Sequence, residues 1–394
     1  MEEARKVVSD VVKNTTLDHS SYFSKHLSCE LYLKRENEQR TGSFKMRGAT
    51  NKMHSLSAEE KQRGVIASSA GNHAQGVALS ASLAGVKCVI VMPENAPIVK
   101  VKATKDYGAE VIFHGSYYDE ASEKATQLAK EKGYVRIHAF EDPYIIAGQG
   151  TIALEILEAM SDLDSIVVPI GGGGLIAGIA TVIKAKKPKC RVIGVQAENV
   201  NNMAVAFHEK AIPKTLRVSP TIADGISVKT PSKYMYENYI SKLVDDVVTV
   251  SEDDIAEAIV TLLERTKAVV EGSGAASIAA MLKHKLNLGK NSCAVLSGGN
   301  IDLNLIEKII DRGLSRHGRI VQISVIVGDV PGALSRLTDC IANLRGNVLE
   351  VSHDRIGKDV ALMETRIDFT IETSSFEHVE KIRAAVAALG VKMI

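Results

Sequence analysis

The hydrophobic pattern changes once along the chain, and the change divides it. From about residue 30 to 300, short runs rich in Val and Ile alternate with segments whose apolar residues recur at helical spacing. "GVIASSA" leads into "AQGVALSASLAG", "KCVIVMP" follows, and "AEVIFHG" precedes "YDEASEKATQLAKEKG". "SIVVPI" is followed by four glycines and a helical segment, then by "CRVIGVQAE"; "SCAVLSGGN" follows "AASIAAMLKHKL". Strands alternating with helices of this length predict βαβ units and parallel-type sheets covered on both faces. Two groups of such units separate near residues 133–150, which predicts two α/β lobes.

After "RGLSRHGR" (312–319) the pattern reads βαββαβ: "IVQISVIV", "GDVPGALSRLTDCIANLRG", "NVLEVSH", "VALMETRIDFTIE", "FEHVEKIRAAVAALG" and "VKMI". In "ALMETRIDFTIE", Met363, Ile367, Phe369 and Ile371 fall on one strand face, with Glu364, Arg366, Asp368 and Glu372 on the other. That alternation predicts a sheet with one covered face, a separate ferredoxin-like module. Pro331 suits the first turn of its first helix, and Asp329 lies where a cap would be useful.

Composition adds mainly exclusions. The formal net charge is +1, aromatic residues make up 4% and Trp is absent, so neither nucleic acid nor an anionic membrane is an expected partner. No apolar run reaches the length of a membrane-spanning helix. The N-terminal "MEEARKVVSDVVKN" has no apolar core and is not expected to be a secretory signal. Five scattered cysteines (Cys29, Cys88, Cys190, Cys293 and Cys340) without CxxC spacing suit reduced thiols in a cytoplasmic protein.

The candidate chemistry begins at "PIGGGGL" (169–175). Glycines at a strand-to-helix junction let backbone N–H groups converge beside the positive end of a helix, which makes an anion cradle. "GGGLIA" with Glu198 about twenty residues on also fits a dinucleotide fingerprint. A nicotinamide-dependent oxidoreductase is therefore a competing reading at this point. Two more small-polar loops, "SSAGNH" and "SGGN", follow strands, and ligands of open α/β sheets gather at the carboxyl ends of strands. Lys45 in "TGSFKMRGA" stands at a Gly- and Ser-flanked helix start.

Taken in order, "GSFKMRGA", "SSAGNHAQG", "PIGGGGL" and "LSGGN" resemble the fold type II pyridoxal-phosphate enzymes of the serine/threonine dehydratase group, over roughly residues 1–315. The resemblance implies a two-lobed α/β architecture, with a small lobe of about 40–140 inserted in a large lobe of 1–39 and 141–315. It implies that Lys45 holds pyridoxal 5'-phosphate as a Schiff base and later takes the Cα proton, with Phe44 beside the ring. Gly171, Gly172, Gly173, Gly174 and Leu175 would bind the phosphate, Asn72 the ring hydroxyl and Ser297 the pyridine nitrogen. Ser69, Ala70, Gly71, Asn72 and His73 would grip the substrate carboxylate. "TIADGISV" (221–228) resembles a family stretch beside the ring, where Gly225 would act through its backbone. For Glu271 in "VEGSGAAS", an acidic residue near the cofactor and a helix cap are both open.

Those residue types suit the implied chemistry. A desolvated lysine loses its proton more readily. A neutral hydroxyl at Ser297 leaves the ring a weaker electron sink than an aspartate would, which favours loss of a β-hydroxyl. The implied reaction is deamination of L-threonine to 2-oxobutanoate and ammonia, with L-serine giving pyruvate as a secondary reaction. Serine racemase or serine dehydratase is the alternative within the family. Racemases of the family carry a serine where Ala70 stands, and alanine moves no proton. They also bind a divalent cation through a glutamate and an aspartate; Glu198 matches the first but Ala204 occupies the second position, so no divalent site is expected and a weaker monovalent cation site stays open.

The module at 319–394, with "GDVPGAL", looks like an ACT domain. By resemblance it implies amino-acid feedback, as in isoleucine biosynthesis, with Gly328, Asp329, Ala333 and Leu334 near the effector. A dimerisation module without a ligand, or an amino-acid-binding regulator with an inactive lyase lobe, would share the same pattern. A homodimer or homotetramer is expected, because such a sheet has edges to pair.

Overall fold

The computed structural model describes residues 1–216, 218–357 and 360–394. The chain forms two compact units, Met1–Asp302 and Leu303–Ile394. The helix Leu303–Arg316 counts with the second unit, whereas the sequence boundary at 315 placed it with the first.

The first unit carries strands β1 (Leu17–His19), β2 (Glu30–Lys34), β3 (Val65–Ser68), β4 (Cys88–Met92), β5 (Glu110–Phe113), β6 (Val135–Arg136), β7 (Ser165–Pro169), β8 (Arg191–Ala197), β9 (Asp246–Val250) and β10 (Asn291–Val295). They form two sheets, of order β1-β2-β10-β7-β8-β9 and β5-β4-β3-β6. Every neighbouring pair is parallel except β1–β2. β3, β4, β7 and β10 are buried along their whole length, as continuous apolar runs between two helix layers should be.

Residues 133–150, read from sequence as a separation between lobes, are in part a helix. Pro143–Ala159 starts on an Asp142 cap whose carboxylate accepts from the amides of Tyr144 and Ile145, with Pro143 in its first turn. Its Gly150 meets Gly178 of the helix Gly174–Lys186: a Cβ on Gly178 would lie 2.4 Å from the Ile146 carbonyl oxygen and 2.6 Å from the Gly150 nitrogen. The two helices therefore touch backbone to backbone.

Behind the start of the helix Lys45–Ser55 lies a buried charge cluster. The Arg47 guanidinium is fully buried and donates to both Glu36 oxygens at 2.8 Å and to Glu155 at 2.6 and 2.9 Å. Lys34, at the end of β2, donates to Glu155 at 2.6 Å and to the Thr15 carbonyl at 2.6 Å. Two cations meet two carboxylates, which offsets the desolvation that an isolated buried charge would suffer.

The second unit holds β11 (Ile320–Gly328), the helix Ala333–Asn343, β12 (Asn347–Asp354), β13 (Glu364–Glu372), the helix Phe376–Ala388 and β14 (Lys392–Met393). The βαββαβ order folds into an antiparallel sheet, β12-β13-β11-β14. Ile323, Val325, Ile367, Phe369 and Ile371 face Leu337, Ile341, Ile382 and Val386 of the helices. Two details differ from the sequence reading. Met363 precedes β13 with φ +71° and is 79% exposed, so the buried face of that strand begins at Thr365. The first helix begins at Ala333 behind Gly332, after Pro331, and Asp329 does not cap it; its carboxylate accepts from Arg355 Nε at 2.9 Å.

Candidate active site

Three strand ends and one helix start in the first unit make the crevice. β3 runs into Ser69–Gly71 and the helix Asn72–Leu83; β7 runs into the glycine loop and the helix Gly174–Lys186; β10 runs into Leu296–Asn300. Lys45 opens the helix Lys45–Ser55, with Phe44 as its N-terminal flank. The Phe44 amide donates to the Ser297 carbonyl at 3.1 Å, and Ser43 bridges Gly298. A Cβ on Gly76 would lie 3.1 Å from the Lys45 carbonyl carbon, so the helix carrying Asn72 presses on the one carrying Lys45.

Asn72 is held from two sides. Its Nδ2 donates to Glu271 Oε1 at 2.6 Å, and its Oδ1 accepts from Asn300 Nδ2 at 2.8 Å. Glu271 precedes the helix Gly272–Lys283 but its side chain makes no cap bond. Of the two readings left open for it, the carboxylate facing the crevice is the one the geometry carries. Burial, then the nearby Asp224 charge, raises Glu271 to about 7. Asp224 itself pairs with Lys100 from the other lobe.

The Lys45 amine donates to the Ala139 carbonyl at 3.0 Å and lies 5.2 Å from the Phe44 ring centroid. Burial pushes its pKa down to about 8, with Glu271 opposing. The His73 imidazole is buried against the backbone of Ile137. Its Nε2–H donates to the Ile137 carbonyl at 3.1 Å, and burial takes it to about 3, so the ring stays neutral. Ser69 Oγ accepts from the Gly71 amide at 3.1 Å and shapes the Ser69–Gly71 turn.

The glycine loop is shaped by its protein surroundings. A Cβ on Gly171 would lie 3.0 Å from Ile226 Cα, and one on Gly172 would lie 2.1 Å from the Phe140 ring. Gly173 sits at φ +95°, where a side chain would be strained. A Cβ on Gly174 would lie 2.9 Å from Phe140 Cβ. Immediately after the loop comes the first turn of the helix Gly174–Lys186, whose amides have no partner within the helix.

Pyridoxal phosphate fits these residues. The fit rests on a desolvated amine of lowered pKa, a glycine-lined helix start for a phosphate, and hydroxyls with spare capacity. Ser43 Oγ and Ser273 Oγ are buried without a partner among the described residues, and Ser297 Oγ reaches only the Ser273 carbonyl at 3.5 Å. Gly225 packs against Ser273: a Cβ there would lie 2.7 Å from its Oγ. Among the described residues no cluster of His, Cys, Asp or Glu has the arrangement of a metal site.

Sequence reasoning did not single out Asn300, Ser273, Phe140 or the Lys100–Asp224 pair. Asn300 ends the quoted "SGGN" and was within reach of a motif reading. Phe140 carried a weaker signal, one aromatic in the polar stretch "HAFEDP" of a chain with few aromatics.

In the second unit, a pocket of about 340 Å³ is lined by Asp329, Ala333 and Leu334 together with His353, Arg355 and Thr365. Gly328 does not line it; it ends β11, paired with Glu364.

A family model for pyridoxal-phosphate-dependent enzymes matches residues 8–298. The L-threonine ammonia-lyase of Thermotoga maritima is 47% identical over 391 residues, covering 99% of this chain and 97% of that protein. The catabolic L-threonine dehydratase TdcB of Escherichia coli is 48% identical over 310 residues, 78% of this chain and 94% of that protein. A solved structure of maize serine racemase superposes with a TM-score of 0.75 at 34% identity, covering 80% of this chain and 97% of that one. The matched span 8–298 contains Lys45, Asn72, the glycine loop and Ser297, and the chain belongs to the pyridoxal-phosphate-dependent enzyme family.

Proposed function

We propose that this chain is a cytoplasmic lyase that deaminates L-threonine to 2-oxobutanoate and ammonia, and L-serine to pyruvate as a secondary reaction. The observation that carries the proposal is Lys45, a buried amine brought down to about 8, between the Asn72 loop and the glycine loop. The full-length likeness to a threonine ammonia-lyase supports the substrate.

Lys45 would hold pyridoxal phosphate, Gly171–Gly174 and Leu175 its phosphate, Asn72 its ring hydroxyl and Ser297 its pyridine nitrogen, with Phe44 alongside. When bound, the cofactor supplies an electron sink for the pair left as the Cα–H bond breaks. The Ser69–His73 turn offers backbone amides at a helix start to the substrate carboxylate. The freed Lys45 amine, which burial makes easier to deprotonate than an exposed lysine, takes the Cα proton. With the β-hydroxyl lost as water, the released enamine takes up water and yields the keto acid and ammonia. Ala70 has no group to return a proton on the opposite face, which favours the lyase over the racemase reading.

The unit ending near 302–315 is the catalytic region in this proposal, and 319–394 an ACT-like regulatory domain in a homodimer or homotetramer. Its pocket pairs Asp329 with Arg355, a charge set suited to the ammonium and carboxylate of an amino acid. Keto-acid release from L-threonine, with L-isoleucine titrated in, tests both parts. The expected result is 2-oxobutanoate formation that falls with isoleucine and drops by about 10²–10⁴-fold or more in Lys45→Ala. Activity that Lys45→Ala retains would overturn the catalytic reading; activity indifferent to isoleucine and to other amino acids would overturn the regulatory one.

A further inference from the structure

The turn His138–Phe140 touches both ends of the crevice. The Ala139 carbonyl accepts from the Lys45 amine at 3.0 Å. One residue on, the Phe140 ring occupies the space a Gly172 side chain would need, with ring atoms 2.1–2.3 Å from the position of its Cβ. Phe140 Cβ and Cα do the same at Gly174, at 2.9 and 3.0 Å. The turn is itself fixed. His138 Nδ1 accepts from the amides of Phe140 at 3.3 Å and Glu141 at 2.8 Å, and the two rings meet edge to face at 4.7 Å. Burial lowers the His138 pKa, which keeps that nitrogen an acceptor. Gly173 alone of the four loop glycines has a positive φ, so an alanine at 172 is acceptable to its own backbone. What forbids it is Phe140.

We propose that Phe140 is a positioning residue: it seats the glycine loop at a fixed place relative to Lys45, and residue 172 is glycine to admit the Phe140 ring. The inference rests on the reading above that this loop anchors the cofactor phosphate. Phosphate anchor and lysine must then sit one cofactor length apart, and one short turn contacts both. Without the ring, the loop loses the wall that sets that distance.

A double-mutant cycle on the full-length protein tests it, with wild type, Gly172→Ala, Phe140→Ala and the double variant. Each is stripped of cofactor and titrated with pyridoxal phosphate by visible absorption, and its thermal midpoint without cofactor is recorded. Gly172→Ala is expected to weaken binding roughly 10- to 100-fold, because the methyl group drives ring and loop apart. Phe140→Ala weakens binding less, and the double variant binds several-fold more tightly than Gly172→Ala alone. A double variant no tighter than Gly172→Ala, or Gly172→Ala binding as wild type does, would overturn the proposal. Parallel recovery of thermal midpoints without recovery of cofactor affinity would reduce Phe140 to packing and overturn it too. If Phe140→Ala does not fold, Phe140→Val removes the same ring edge. Failure of wild type to bind the cofactor at all would instead remove the reading of the loop itself.

Discussion

Lys45 gains its chemistry from burial rather than from a neighbouring base. An exposed lysine amine titrates at about 10.4 and is almost wholly charged at neutral pH. Here the loss of solvent disfavours the charged form and Glu271 only partly restores it, leaving a pKa of about 8. Only the uncharged amine attacks an aldehyde, so capture of pyridoxal phosphate by the cofactor-free protein should rise with pH to half its maximum near 8. A stopped-flow series from pH 6.5 to 10 reads this directly, and a half-point near 10.4 would contradict it. Lys45, Asn72 and Ser297, which the structure brings to one crevice, each sit in a short motif with its own spacing. Glu271 was only half legible. Its crevice partner Asn72 is 199 residues away, and a carboxylate before a Gly-rich helix looks locally like a cap.

At the scale of elements, apolar β-branched runs marked β3, β4, β7, β8 and β10, since strands buried on both faces leave that trace, and the half-exposed edge strand β5 shared it in "EVIF". β1 and β2 left less, because they have only three and five residues and mix apolar with charged positions. The helix Pro143–Ala159 was obscured by its own glycines. Gly148 and Gly150 interrupt its apolar pattern, yet they lie where backbones of neighbouring helices approach closely. Gly178 is the sharpest case, because its missing Cβ would strike the Ile146 carbonyl and Gly150 nitrogen, neither of which can rotate away. Gly178→Ala should therefore destabilise the protein by about 1–3 kcal/mol despite alanine's better helix propensity. Urea unfolding would show it, and a stability equal to wild type would mean the helices separate freely.

For the whole chain, the sequence pattern distinguished an α/β region from a βαββαβ module, and the order β12-β13-β11-β14 follows from that pattern by known connection rules. The six-stranded sheet was not readable in the same way. β2 lies beside β10 from the far end of the unit, and nothing local in "ELYLK" announces that partner. The crevice depends on this arrangement, because β10 carries Ser297 to the Phe44 amide and β7 carries the glycine loop to Phe140. The central claim is that the assembled crevice binds pyridoxal phosphate through Lys45. Borohydride reduction of the loaded full-length protein, followed by peptide mass mapping, tests it most directly. One phosphopyridoxyl group on Lys45 and on no other lysine is the expected result; an adduct at a different lysine, or none at all, would contradict it.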